Sequence, residues 1–165
     1  MEACRRDNTS LLQEVLSHPD VSKDPSSLLN TARDGVGNYC LHIAAQSGSY
    51  DVMDVLLDQE GLEVDPVDRM EGDTPLHKAV RFVNSLGKED WEGGAAIVEL
   101  LLDAGADAKI RNKAKLKPVD LVDPRNENLR STLQTAEYAQ IAGDDVVEED
   151  NEEEQGVAGS GSDSD

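Results

Sequence analysis

The sequence is poor in aromatic residues: they make up 3% of the 165-residue chain, with a single Phe82 and a single Trp91. A core with so few rings has to be built from Leu, Val, Ile and Ala, a mixture that suits closely packed helices better than a β-sandwich. The two cysteines, Cys4 and Cys40, are too few for a disulfide framework. We therefore expect an all-α fold in a reducing compartment.

Long apolar runs and an excess of basic residues are also missing. No stretch approaches the roughly 20 apolar residues of a membrane span, and the N-terminus has no secretory apolar segment. Lys and Arg number 15 against 35 acids, which gives a net charge of −20. Phosphate groups are bound by Lys and Arg, so this charge disfavours nucleic acid and anionic membranes. We expect a cytoplasmic or nuclear protein whose partner is another protein, and a basic partner fits this charge best.

The negative charge is concentrated at the C-terminal end. Residues 143–165 hold ten acids and no base. Because such a segment repels itself and offers little apolar surface, we predict a disordered acidic tail over residues 141–165. Ser160 and Ser162, each with Asp three residues on, resemble sites for acid-directed kinases; the alternative is a plain flexible terminus.

An internal repeat is the main positive signal. N-Y-C-L-H-I-A-A, residues 38–45, returns 35 residues later as D-T-P-L-H-K-A-V, residues 73–80. A Leu-rich stretch and a glycine-containing turn follow each copy, at residues 52–65 and 97–107. Neither copy can shield its own apolar face, so this pattern predicts helical units that stack on one another.

The residues of the second copy carry a family resemblance. T-P-L-H-K-A, from Thr74 to Ala79, matches the ankyrin signature T-P-L-H-x-A, and residues 97–107 resemble the second helix and closing turn of that repeat. Weaker copies flank the two good ones. The resemblance implies an all-α solenoid of about four stacked helix-turn-helix repeats, residues 1–33, 34–67, 68–111 and 112–140. Within the first of these, residues 17–33 read as a polar connection.

Several positions depart from the family pattern. About ten extra residues fall within Val83–Gly94, between the two helices of the third repeat, and we expect them to project and serve binding. Tyr39 and Cys40 replace Thr-Pro in the second repeat, which puts the hydrogen bonding at that helix start in doubt. In the fourth repeat, Lys115 stands at the turn glycine and Asp120 at the histidine.

The resemblance implies a non-enzymatic binding module that holds another protein on its concave side, made by the turn tips and first helices. Phe82 and Trp91 are the preferred anchors, since aromatic side chains dominate interface energetics. The alternatives are that Phe82 packs under the insertion and that Trp91 holds it down. Carried over by position, the predicted partner-binding residues are Val36, Asn38, Gln46, Ser47, Met70, Asp73, Arg81, Phe82, Trp91, Lys113 and Leu116.

Candidate chemistry is weaker than this binding hypothesis. His42 and His77 belong to the repeat signature, where the family uses this histidine in the hydrogen-bond network between turns. No cluster has zinc-ligand spacing, Cys40 with His42 lacks a third orienting group, and no phosphate-binding loop is present. We therefore expect no catalytic residue, metal or cofactor, and a chain that is monomeric alone.

Two functional hypotheses remain open. One is a general interaction adaptor. The other is a dedicated escort chaperone for a basic protein, for example a ribosomal one. Some small ankyrin proteins of fungi chaperone a ribosomal protein and carry acidic C-terminal stretches, and this chain resembles them in size and layout. The basic run from Lys109 to Lys117 is a solvated turn, a surface that pairs with the chain's own acidic tail, or a contact for an acidic partner segment.

Overall fold

The computed structural model describes residues 1–152, and every regular element in that range is helical. The helices are α1 Glu2–Arg6, α2 Thr9–Leu16, α3 Pro25–Leu29, α4 Cys40–Ser47, α5 Tyr50–Leu57, α6 Pro75–Asn84, α7 Trp91–Asp103 and α8 Glu127–Glu152, with short 3-10 helices at Lys88–Asp90 and Pro118–Leu121. The all-α prediction is confirmed. No helix in residues 1–152 is both long and apolar enough to cross a bilayer.

The helices stack in the order of the repeats. The first helices α1, α4 and α6 lie in a row, and α4 and α6 pack against α5 and α7, the second helices of their own repeats. Each helix turns one apolar stripe inward, so that Ile43, Leu56 and Leu76 are completely buried. Ala44 and Ala79 are also completely buried, and their small side chains let α4 and α6 approach closely.

Much of the ten-residue insertion is folded into longer helices, and only its middle, residues 85–90, lies outside α6 and α7. Helix α6 has 10 residues and α7 has 13, whereas α4 and α5 have 8 each. Val83, completely buried, and Trp91, 8% exposed, join the core at the two ends of the insertion. Both ends are therefore held by apolar burial, whereas Ser85 and residues 87–90 between them are exposed. That the insertion projects and serves binding stays a prediction.

The connection between the first and second repeats is also more ordered than expected. Residues 25–29 form α3, although we predicted a polar connection over residues 17–33. Asp24 caps this helix by accepting a hydrogen bond from Ser27 N, and Pro25 takes the first helical position, where a missing N–H costs nothing. Leu29 is buried and fixes the helix to the core.

The fourth repeat departs most from the standard unit. Its first helix is reduced to the 3-10 turn Pro118–Leu121. Helix α8 begins at Glu127 and continues past residue 140 to Glu152, into the segment predicted to be disordered. Buried Leu129 and Leu133 anchor the start, and propagation of a helix is easier than its nucleation. The rest of the predicted tail, with Ser160 and Ser162, lies outside the described residues.

Candidate functional site

Three turns lie side by side at the starts of α4, α6 and the 3-10 turn: residues 34–38, 68–73 and 112–117. We call their outer side the turn-tip surface. In each turn the first residue accepts a main-chain hydrogen bond: Asp34 from Asn38 at 2.9 Å, Asp68 from Asp73 at 2.7 Å and Asn112 from Leu116 at 3.1 Å. These polar side chains close the turns because such oxygens mimic a backbone acceptor.

Buried histidines join each turn to the next. Nδ1 of His77 accepts from Thr74 N at 3.1 Å, so Nε2 carries the proton and donates to Leu116 O at 2.8 Å. His42 does the same between Tyr39 N, at 3.2 Å, and Asp73 O, at 2.8 Å. Burial lowers the pKa of both histidines, since it disfavours the imidazolium. Both imidazoles are therefore neutral tethers between repeats.

Two departures from the family pattern are explained by this arrangement. The main-chain N–H of Tyr39 makes the same bond to His42 that Thr74 makes to His77, and the Tyr39 ring stacks on His42 with centroids 5.9 Å apart. In the fourth repeat, Asp120 Oδ2 accepts from Lys117 N at 2.9 Å. The Asp120 carboxylate thus accepts the main-chain hydrogen bond that Nδ1 of His77 accepts in the preceding repeat.

An ionic cluster supports the middle turn, residues 68–73. Lys78 Nζ lies 2.8 Å from Glu71, 3.2 Å from Asp68 and 3.6 Å from Asp73, and Arg81 Nε lies 2.8 Å from Asp73. Burial alone would raise the pKa of Asp73, but hydrogen bonds from Arg81 and Asn112 outweigh it and lower that pKa. Burial would likewise lower the pKa of Lys78, but hydrogen bonds to Glu71 and Asp68 raise it.

Asp73 and Arg81 of this cluster were among the predicted site residues, whereas Asp68, Glu71 and Lys78 were not. A signal was present, because Lys78 and Arg81 are three residues apart on one helix and therefore share a face. That face meets a turn with three acids, residues 68–73. The cluster holds the turn against α6 and so fixes the shape of the turn-tip surface.

The exposed part of the turn-tip surface is apolar and mainly basic, with Glu71 as an exposed acid that pairs with Lys78. Val36 is 52% exposed and Met70 is 67% exposed, on neighbouring turns, and Val67 beside them was not predicted. Arg69 and Lys113 are exposed next to Met70 and on the following turn. Of the predicted binding residues, this surface brings together Val36, Met70 and Lys113, with Arg81 partly exposed beneath them.

Three predicted residues of the same turns point inward. Asp73 is completely buried in the ionic cluster, and the half-buried Leu116 offers its carbonyl to His77. Asn38 is 6% exposed, and its Oδ1 has no hydrogen-bond partner among the described residues. Asp73 and Leu116 therefore shape the surface from within, and the buried amide of Asn38 lies behind it.

The remaining predicted residues lie at the opposite ends of α4 and α6. Gln46 and Ser47 are exposed in the last turn of α4. Phe82 is half-buried, and its ring packs so close to Gly48 that a Cβ there would lie 2.3 Å from Cζ. It also faces Gly94, at the end of the insertion. This placement matches the alternative in which Phe82 packs against the insertion.

Trp91 lies away from the turn-tip surface. It begins α7, is 8% exposed, and lines a separate cleft with Lys88, Asn126 and Thr132. The structure therefore does not bring Trp91 together with Val36 and Met70.

The basic run is largely used to hold its own turn. Lys117 pairs with Glu137 of α8 at 2.5 Å, and Arg111 donates to the carbonyl of Lys115 at 2.9 Å. Lys113 donates to the carbonyl of Arg69 on the preceding turn. These bonds link the third and fourth repeats, while Lys113 and Lys115 keep exposed stems.

The cysteines and histidines are not arranged for catalysis. Cys4 and Cys40 are buried free thiols. Cys40 Sγ donates to Met1 Sδ at 3.8 Å, and the neighbouring Cys40 thiol, together with burial, raises the pKa of Cys4. Both nitrogens of His42 are already engaged, so it cannot serve as a base for Cys40. Within residues 1–152 no group of three or more His, Cys, Asp or Glu side chains could hold a metal ion.

Comparison with known proteins agrees with the repeat geometry. A family model described as ankyrin repeats, in three copies, matches residues 1–112. The ankyrin repeat-containing protein YGL242C of Saccharomyces cerevisiae is 40% identical over 144 residues, which cover 84% of this chain and 76% of that protein. The ankyrin repeat protein nuc-2 of Neurospora crassa is 28% identical over 69% of this chain, but the match covers only 9% of its own length.

Proposed function

The chain belongs to the ankyrin-repeat family, whose repeats are protein–protein interaction modules, and we propose that it binds a partner protein through the turn-tip surface without acting as an enzyme. The observation that carries this proposal is the exposure of Val36 and Met70 on two adjacent turns whose backbones are fixed. Apolar side chains presented by a rigid frame bind at low entropic cost.

The chemistry of the surface describes the partner. The exposed side chains of Val36, Val67 and Met70 favour apolar side chains of a partner. Exposed Arg69 and Lys113 add positive charge. A partner segment with apolar residues and at least one carboxylate fits this surface better than a purely basic one.

The experiment is affinity capture from a cell extract with the full chain and two variants. Val36→Asp with Met70→Asp places charges on the turn-tip surface, at positions too exposed to disturb the core. Tyr138→Asp, on α8 at a residue 74% exposed, is the matched control. We expect a partner that the wild type and Tyr138→Asp retain and the double variant loses, with unchanged thermal unfolding for all three. Equal capture by all three would place the binding surface elsewhere.

The second candidate function is an escort chaperone for a basic protein. It is favoured by the net charge of −20, which attracts basic proteins over distances of about a Debye length. This role predicts that binding weakens steeply with salt and on deletion of residues 143–165. If that deletion leaves the affinity for the captured partner unchanged, the adaptor role stands alone.

A further inference from the structure

A cleft of about 430 Å³ lies between the start of α7 and the start of α8, on a different part of the molecule from the turn-tip surface. Its walls include Lys88, Trp91 and Glu92 on one side and Asn126, Asn128 and Thr132 on the other. The insertion creates this cleft, because it lengthens α7 at its N-terminal end and places Trp91 opposite the start of α8. The cleft is thus specific to this chain's departure from the standard repeat.

Two buried hydrogen-bond donors in the cleft have no partner among the described residues: Trp91 Nε1 and Asn126 Nδ2. Trp91 is 8% exposed and Asn126 5%. The orientation of Asn126 is fixed, because its Oδ1 caps α8 by accepting from Leu129 N at 3.1 Å. The indole nitrogen can only donate. Since buried polar groups are nearly always paired, both donors indicate an acceptor that enters the cleft.

The charges around the cleft select the kind of acceptor. Glu89, Glu92, Glu99 and Glu127 line it, against Lys88 and Arg125. Arg125 is already paired with Asp123 at 2.9 Å. A carboxylate or phosphate would be repelled by this excess of acids. In a peptide segment with Lys or Arg side chains, a main-chain carbonyl can accept hydrogen bonds from the two donors, and the basic side chains can pair with the glutamates.

We propose that this cleft binds a basic, extended peptide segment of a partner protein, whose main-chain carbonyl accepts hydrogen bonds from Trp91 and Asn126. Lys or Arg side chains of the segment lie beside Glu92 and Glu99. This second site does not depend on the turn-tip surface.

The lone tryptophan gives a direct test. In the full-length, ¹⁵N-labelled protein, the single indole N–H resonance reports on the cleft alone. A short Gly/Ser peptide with several lysines is added, and the same peptide with glutamates replaces it in the control. We expect the lysine peptide to shift the indole proton downfield, as hydrogen bonding does, and the glutamate peptide to have no effect. An indole resonance unmoved by the lysine peptide would mean that ordered water alone occupies the cleft.

Matched variants separate hydrogen bonding from charge. Asn126→Asp keeps the helix cap, since Asp caps as well as Asn, but it removes the donor and adds a negative charge. Asn128→Asp adds the same charge to the same cleft and leaves both donors intact. We expect Asn126→Asp to bind the lysine peptide about tenfold more weakly than wild type, and Asn128→Asp to bind it as well or better. If both variants bind the peptide more tightly, charge alone holds it and the hydrogen-bond assignment is wrong.

Discussion

At the scale of single residues, the buried histidines make stability depend on pH. Burial lowers the pKa of His42 and His77 from the unfolded value of about 6.5. Below that value the unfolded chain binds more protons than the folded one, so stability present at neutral pH is lost as the pH falls through the folded pKa. The loss is at most about 1.4 kcal/mol per pH unit for each histidine.

We therefore expect the free energy of unfolding in urea to fall from about pH 7 to about pH 5. The double variant His42→Gln with His77→Gln should be less stable at neutral pH but lose less over this interval. Circular dichroism at several pH values measures both curves. Parallel curves would show that the histidines do not carry the effect.

Lys78 gives a second prediction at this scale. Its side chain is 9% exposed and balances the buried carboxylates of Asp68 and Asp73. Lys78→Met keeps the volume but leaves the buried Asp68 without its cation, although Asp73 keeps Arg81, so we expect a loss of about 3 kcal/mol in urea unfolding. Lys23→Met, at an exposed position, should change stability by less than about 0.5 kcal/mol. A Lys78→Met variant as stable as Lys23→Met would mean that the acids are protonated or hydrated.

At the scale of elements, the stacking distance between turns is set by glycine. Gly37 has φ 95°, and a Cβ on it would lie 2.6 Å from Cβ of Arg69 on the next turn. Gly105 has nearly the same φ, 98°, with nothing within 4 Å. Gly105→Ala should therefore cost about 1 kcal/mol for backbone strain alone.

Gly37→Ala should cost about 1–3 kcal/mol more than Gly105→Ala, because the Arg69 Cβ cannot move without its backbone. Urea unfolding of both variants measures the difference. An equal cost would show that the turns can separate, and a surface made of movable turns would not be the rigid frame that the proposed function assumes.

Sequence reasoning succeeded where a repeat unit determines its own structure. The helix beginning at Thr74-Pro75 and the tethering role of His77 agree with what the ankyrin resemblance implied. Predictions from the sequence failed where the local structure depends on burial against residues that are distant in the chain. Much of the insertion is helical because Val83 and Trp91 are buried, and α3 forms because Leu29 reaches the core. Asp73 was assigned to the surface from its position in the turn, although its partners Arg81 and Asn112 lie 8 and 39 residues away.

At the scale of the whole molecule, the net charge of −20 is not shared by all surfaces. The turn-tip surface exposes Arg69 and Lys113, whereas the cleft beside Trp91 is lined by glutamates. Two surfaces of opposite sign can hold two segments of one partner, or two partners. The solenoid keeps them apart because each repeat contacts only its neighbours.

The same one-dimensional architecture makes α8 a cap. Leu129 and Leu133 are buried, and Gln140 bonds the main chain at both Ala106 and Ala108, at 2.9 and 3.1 Å. Burying two leucines contributes about 3–6 kcal/mol, a large share of the stability of a small domain. Deleting residues 127–165 should therefore lower both the free energy of unfolding and its dependence on denaturant concentration. The deletion should also expose an apolar face of the third repeat, through which the chains self-associate.

Deleting only residues 153–165 leaves the described helix whole and is the matched control. We expect it to unfold in urea as the full chain does and to elute as the same species from a sizing column. The shorter chain, ending at Asn126, should elute earlier for its mass as its concentration rises. If it remains monomeric and loses no stability, the third repeat closes the solenoid by itself, and the cleft between α7 and α8 would then have no part in the fold.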